Sequence, residues 1–464
     1  MQGFRREMTH GDWNILASYA ARVLSIEHSF DRGGFNAGIM PDVYLALTKR
    51  HPASADPLFP KLRRLRLTNP NEIFHLPMMR AVLLGPELRH LYIEHCLMSP
   101  ALFFLDNRDQ IRSGTSEGKE PKHRLDKTCP MLETLHLDFG SWWYMHDEPI
   151  SQIFFTLSRL QHLRDVKCGP VNEALLTLLL NNRQINSLDI LVPDHTSWLS
   201  TSTSNHIYRH LPASLTMTAD SYETMERAIK TLIRTHTWTN SSSFSSINLR
   251  FSQYRPSKPL ELVTEALASC SSASRLTDVE INHPCFFEED DFDPDEDGDL
   301  PAIHYSDLQP LECLGHMTKL SLSFGTISIL RQEPSQLLAL LGHWPLLRSL
   351  EVHPFSLDVP RLIAVLRLLP ELAYLNIDII VQGADFKRLP QKHAYATLPV
   401  NSRIRDLSVS LNPSSSSELD SFARFLAHSL PLCLPAIEFA GDWHPSKADY
   451  WNKVAEVVRA DSLR

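Results

Sequence analysis

The spacing of apolar residues predicts an α/β fold: a leucine-rich-repeat solenoid, a ribonuclease-inhibitor-like horseshoe with parallel strands on its concave side and helices on its convex side. Three observations carry this. The triplet Leu62-x-x-Leu65-x-Leu67 returns eleven more times, from Leu88/Leu91/Ile93 to Leu434/Ile437/Phe439. Two weaker copies fit the same frame, Ala21/Leu24/Ile26 and Pro212/Leu215/Met217. Successive triplets start about 22 to 44 residues apart, most near 30, the period of this repeat class. Between triplets, the sequence turns to helical spacing.

Each triplet puts three apolar side chains on one side of a short extended segment. A fully buried aliphatic side chain contributes roughly 1.5–3 kcal/mol. One repeat therefore gains little against the entropy of ordering its residues. Stacked copies share one core, so stability belongs to the array.

The elements follow in order. Thr9 and Asp12 form a capping box, and the helix behind it carries Trp13, Leu16, Tyr19 and Ala20 toward the core. Residues 1–20 are read as an N-terminal capping helix and 21–440 as the solenoid. Residues 441–464 are read as a C-terminal cap, with Tyr450, Val454 and Val458 on one helix face. Connecting helices are expected over 174–180, Ser221 to Thr235, Ser335 to Leu341, and Arg361 to Leu369 before Pro370. Asn107 to Leu125, Lys387 to Val400 and three Ser-rich stretches (Ser200 to Asn205, Asn240 to Ser246, Pro413 to Ser417) read as connections.

Composition excludes several function classes. Net charge is −9 and pI about 6.2, against a nucleic-acid footprint. Gly is 16 of 464, and no phosphate-cradling Gly-rich motif occurs. The seven Cys show no C-x-x-C, and no secretory leader or membrane-spanning run is present. An intracellular location with reduced thiols is expected, most of them core fillers like Cys168.

No catalytic motif is found, and no enzyme, cofactor or metal site is expected. Glu288 to Asp299 holds nine acidic residues in twelve, within an acidic insertion at 286–300. Asp293-x-Asp295-x-Asp297-Gly298-Asp299 matches the first half of a calcium loop. Its twelfth position is His304 rather than Glu, and Pro301 interrupts it. The segment is read as a solvated acidic loop able to meet a basic partner. His206 and His210 stand at i, i+4 without a third ligand nearby.

The residues flanking each middle Leu point away from the core and are the candidate partner-binding set. Early in the chain they include Arg64, Arg66, His90, Tyr92, His136 and Lys167; later they include Asp278, Glu280, Glu351 and Tyr374. The early group carries three cations and one anion, and the later group six anions and one cation. A polarised face, basic at one end and acidic at the other, is expected to orient a protein or peptide partner. Trp142-Trp143-Tyr144 cannot all enter one core, so Trp142 and Trp143 are candidate rim anchors. No nucleic-acid or membrane partner is expected.

Asp12-Trp13 with Tyr19-Ala20-x-x-Val23, Leu58-Phe59-Pro60-x-Leu62-x-x-Leu65, and Cys129-Pro130-x-Leu132-Glu133-x-Leu135 together carry a resemblance. In these phrases the chain resembles the repeat region of F-box/leucine-rich-repeat proteins of mushroom-forming fungi. The resemblance implies a substrate receptor of a cullin–RING ubiquitin ligase, with repeats holding the substrate and an F-box holding the adaptor subunit. Only about 20 residues precede the first repeat, and they do not read as an F-box. The adaptor is thus expected as a partner only if an F-box lies upstream. The alternative is an F-box-less scaffold or inhibitor.

Overall fold

The computed structural model describes residues 9–29, 57–68, 83–94, 125–138, 157, 159–171, 173–192, 211–234, 244–251, 260–269, 275–283, 304–324, 334–379, 400–401, 403–404, 406–410, 424–426, 428–430 and 436–438. The fold is a leucine-rich-repeat solenoid. Every described triplet lies on a parallel strand, and strand order in the sheet is chain order.

The chain divides into two compact units: Met1–Thr216 with Thr235–Thr237, and Met217–Arg234 with Trp238–Arg464. In the first, β1 (Ser25–Ser29), β2 (Arg64–Thr68), β3 (His90–Glu94), β4 (Thr134–Leu137), β5 (Asp165–Pro170) and β6 (Ser187–Val192) pair successively in parallel. The division falls within β7 (Ser214–Ala219). In the second unit β8 (Ser246–Phe251), β9 (Asp278–Asn282), β10 (Lys319–Ser323), β11 (Ser349–Leu357), β12 (Tyr374–Ile379), β13 (Asp406–Ser410) and β14 (Ala436–Glu438) do the same.

Burial follows the pleat. Leu62, Leu65 and Leu67 are at most 1 % exposed, and the triplets from Leu88 to Leu372 are buried likewise wherever they are described. In the middle repeats the core runs one position further, through Val192, Ala219, Phe251, His283 and Phe324. His283 takes the place of an apolar side chain there. Its ring lies 6.0 Å from that of Phe251, which Tyr222 meets edge-on at 4.6 Å.

A turn fixes the entry to each strand. The first triplet N–H donates to the carbonyl three residues earlier: Leu62 to Phe59, Leu88 to Gly85, Leu132 to Cys129, Leu347 to Trp344 and Leu372 to Leu369, at 3.0–3.2 Å. The second residue of each of these turns is proline: Pro60, Pro86, Pro130, Pro345 and Pro370. Proline presets the φ that this turn position requires. A second junction repeats just before the strand. The Arg63 carbonyl accepts both Arg89 N–H and His90 N–H at 2.9 Å, and Arg89, Glu133, Arg164, Thr277, Thr318 and Arg348 supply equivalent double acceptors. Both carbonyl lone pairs are thereby used, and adjacent repeats are held in register.

The helices lie close to expectation. Tyr222–Arg234 buries Met225, Ala228, Ile229 and Leu232, and it packs on Glu261–Ala268. Glu173–Asn181 buries Leu175, Leu176, Leu179 and Leu180. Pro334–Leu341 packs on Val359–Leu368. The latter begins two residues before the expected start, because the Asp358 side chain accepts Arg361 N–H at 2.9 Å and Pro360 suits the first turn.

Two expectations at the N-terminus are corrected. His10–Ala20 has both halves of the Thr9/Asp12 capping box and buries Trp13 and Ala20, but Tyr19 is 64 % exposed. Tyr19 stands about 240° round the helix from Trp13, off the buried stripe. The first repeat is framed two residues later than Ala21/Leu24/Ile26. Ile26 pairs with Leu65 and His28 with Leu67, while Leu24 is 50 % exposed just before the strand. The displayed residues of β1 are therefore Ser25 and Glu27.

The acidic insertion, His206 and His210, Trp142 and Trp143, and the helix expected after residue 445 lie outside the described residues. No described helix is long and apolar enough to cross a membrane.

Candidate partner-binding face

The pleat that buries the triplets turns the intervening side chains to the opposite face. β2 reads exposed, buried, exposed, buried from Arg64, and β3 alternates half-buried with buried. In-register pairing lines these side chains into rows. One row runs Ser25, Arg64, His90, Thr134, Asp165, Ser187, and the next runs Glu27, Arg66, Tyr92, His136, Lys167, Asp189. All six early candidates with described positions thus share one face of the first unit.

Within the rows, side chains differ in what they already hold. Arg66 bridges Glu27 at 3.1 Å and Glu94 at 2.9 Å. The Glu94 hydrogen bond and charge raise the pKa of its guanidinium. Lys167 Nζ lies 3.3 Å from Asp138. His90 Nδ1 meets Thr134 Oγ1 at 3.1 Å, and the Tyr92 and His136 rings pack edge-on at 4.8 Å. The guanidinium of Arg64 is exposed and has no ion pair or hydrogen bond among the described residues.

These contacts overturn the basic end expected from the sequence. Arg64, Arg66 and Lys167 are joined on the face by Glu27, Glu94, Asp138, Asp165 and Asp189. Each strand carries its display pattern past the two residues flanking the middle Leu. Glu94 occupies the next outward position on β3, and the Asp138 N–H continues the ladder onto the Ile93 carbonyl at 2.7 Å. Glu27 was hidden by the misplaced frame of the first repeat. Asp165 and Asp189 already flank middle apolar residues in the sequence; the alternation continued for two more residues would also have found Glu94 and Asp138, but not Glu27.

Burial lowers the pKa of His136, and Lys167 lowers it further, against smaller opposing effects of Asp165 and Glu94. The unfolded chain then takes up more protons than the folded one below the ordinary imidazole value near 6.5. The resulting stability is fully present above about pH 6.5 and is lost as the pH falls through the lower folded value. Urea unfolding of His136→Gln between about pH 5 and 7 is expected to show a shallower loss of stability with acid than the parent.

The second unit displays a different surface. Asp278, Lys319, Ser349 and Tyr374 share one row; Asn248, Glu280, Ser321, Glu351 and Asn376 share the next. The Glu351 carboxylate accepts from Ser321 Oγ at 3.0 Å and from Asn376 Nδ2 at 2.9 Å, with His353 Nε2 at 3.6 Å. Thr318 Oγ1 donates to Asp278 at 3.2 Å, and Lys319 Nζ lies 3.7 Å from Glu280. His353 was missed in the sequence for the same reason as Glu94. Cys129 and Cys168 are core fillers, and burial pushes both thiols up to about 12, far from a reactive thiolate. Among the described residues no cluster of His, Cys, Asp or Glu could hold a metal ion.

No protein-family model matches the chain, and no curated protein does. Among solved structures it is similar to an internalin from Listeria monocytogenes, with TM-score 0.37 and 12 % identity over 92 % of this chain and 89 % of that one. It is also similar to a chain of a TLR13–ssRNA13 complex, with TM-score 0.35 and 13 % identity over 91 % of this chain. This chain covers 55 % of that second protein.

Proposed function

We propose that the displayed face of the strands binds a protein partner, as the substrate-recognition part of an F-box type ubiquitin ligase receptor without catalysis or cofactor of its own. The observation that carries the binding role is the ladder itself. Successive strands present polar, charged and aromatic side chains in register on one face, while the other face forms the core. Such a surface varies strand by strand without touching the core, which suits recognition of an extended or folded protein. The ligase context rests on the resemblance of the N-terminal phrases and of Cys129-Pro130-x-Leu132 to F-box/leucine-rich-repeat proteins of mushroom-forming fungi. In this reading residues 1–20 and 441–464 cap the solenoid, and the protein works inside the cell.

Affinity capture with this chain and with an upstream-extended one tests it. Recovery of the cullin–RING adaptor subunit with either chain is the expected result. If a partner is retained on the displayed face while neither chain recovers the adaptor, the F-box-less scaffold or inhibitor replaces the ligase reading.

A further inference from the structure

The first unit divides its displayed polar groups into those already spent on neighbours and those left open. Arg66 is held by Glu27 and Glu94, Lys167 by Asp138, and the Thr134 hydroxyl by His90. Four side chains between them keep open groups: the Arg64 guanidinium, the Tyr92 hydroxyl, His90 Nε2 and the ring nitrogens of His136, none hydrogen-bonded among the described residues. These four are contiguous. Arg64 pairs with His90 across β2 and β3, and Tyr92 pairs with His136 across β3 and β4. Strand spacing of about 4.8 Å and a two-residue rise of about 7 Å put them in a patch roughly 10 Å across.

We propose that Arg64, His90, Tyr92 and His136 form one docking patch for an extended segment of a protein partner that carries an Asp or Glu carboxylate. The inference rests on the reading of the strand face as the binding face, and it names the partner's chemistry there. Arg64 is the cation of this face that forms no ion pair among the described residues, and Tyr92 stands on the next strand two residues further on, so that its hydroxyl can donate within the same patch. Arg–carboxylate hydrogen bonds are among the strong ones because both partners are charged. Tyr92, fixed edge-on against His136, supplies a rigid aromatic surface at little entropic cost. His136 is half-buried, and burial and then Lys167 lower its pKa, so Arg64 is the permanent cation of the patch. That suits one carboxylate set among uncharged neighbours rather than a run of acids. The carboxylate of Asp165 does not compete, since β5 lies three strands from β2, about 14 Å away.

Two immobilised libraries of unphosphorylated nine-residue peptides test this, one with Glu fixed at the centre and one with Gln. The full chain is expected to prefer the Glu library by about tenfold, the effect of one charged hydrogen bond. Arg64→Gln is expected to abolish the preference and Tyr92→Phe to reduce it, while Arg367→Gln, an exposed arginine on the Val359–Leu368 helix, leaves it intact. The Arg64 side chain makes no hydrogen bond or ion pair among the described residues, so an unchanged urea midpoint verifies that its variant is folded. Equal retention of both libraries, retention of neither, or a preference that survives Arg64→Gln overturns the proposal. Peptides released by substitutions at Glu280 or Glu351 but not at the patch would overturn it and leave the strand-face reading standing. Peptides insensitive to substitution on any strand would remove both.

Discussion

Trp344→Ala is expected to lower the unfolding free energy of this protein by about 3–5 kcal/mol, measured by urea denaturation followed by circular dichroism. Trp344 is fully buried, at 0 % exposure, and is the largest such side chain among the described residues. It begins the proline turn that feeds β11, and its Nε1 donates to the Leu311 carbonyl at 3.2 Å. One side chain therefore fills the core of its own turn and satisfies the backbone of the preceding connection. Removing it opens a cavity and takes one of two donors from the Leu311 carbonyl, which keeps the Leu314 N–H at 2.9 Å. Trp344→Phe separates the two effects: it keeps most of the apolar volume and loses the donor, while the Leu311 carbonyl stays paired with Leu314 N–H, so about 0.5–1.5 kcal/mol is expected. A loss from Phe as large as that from Ala would assign the role to the hydrogen bond rather than to packing.

Asn401→Ala is expected to cost about 2–4 kcal/mol in the same measurement. Asn401 is 4 % exposed and serves three stretches of chain at once. Its Oδ1 accepts the Arg403 N–H at 2.8 Å and the Ile404 N–H at 3.1 Å. Its Nδ2 donates to the Leu372 carbonyl at 3.0 Å, and its own N–H donates to the Ser429 carbonyl at 2.8 Å. In earlier repeats a backbone carbonyl receives the first triplet N–H; here a side chain replaces it and reaches back to the preceding repeat as well. Alanine leaves Ile404 N–H and Leu372 C=O buried and unsatisfied. The Ile404 amide is expected to lose most of its hydrogen-exchange protection, and full protection in the variant would show that the turn had found another acceptor.

These two positions mark where sequence reading stops. The triplets, the parallel sheet and four connecting helices follow from apolar periodicity, because burial acts directly on which side chains recur. The proline turn was also written in the sequence, as Pro60, Pro86, Pro130, Pro345 and Pro370 two residues before the first Leu. Its meaning appears only once each turn hydrogen bond is seen. Asn401 gives no periodic signal, since its role depends on carbonyls 29 and 28 residues away at Leu372 and Ser429. The candidate face was half legible. Alternation places Arg64, His90, Tyr92 and His136 outward, but whether a cation is open or held depends on residues of the adjacent strands, some 28 to 39 residues away in sequence. Arg64 and Arg66 are two residues apart and read alike, yet Glu27 and Glu94 hold only the second. The weakest repeat was misframed because Leu24 satisfies the apolar pattern while sitting outside the core, and Val23, Ile26 and His28 fill its positions less completely.

The double-acceptor carbonyl before β2–β5 and β9–β11 has a consequence for how such a chain can change over generations. Register between neighbours is set within a few residues, by the proline turn and the two N–H groups that share one oxygen. Nothing in that joint depends on how much chain intervenes. A connection can lengthen or shorten, as the spread of repeat lengths here already records, without shifting the strand that follows. The outward residues behave like letters on separately mounted tiles: each can be exchanged, and whole inserts can be gained between them, while the line of text stays straight.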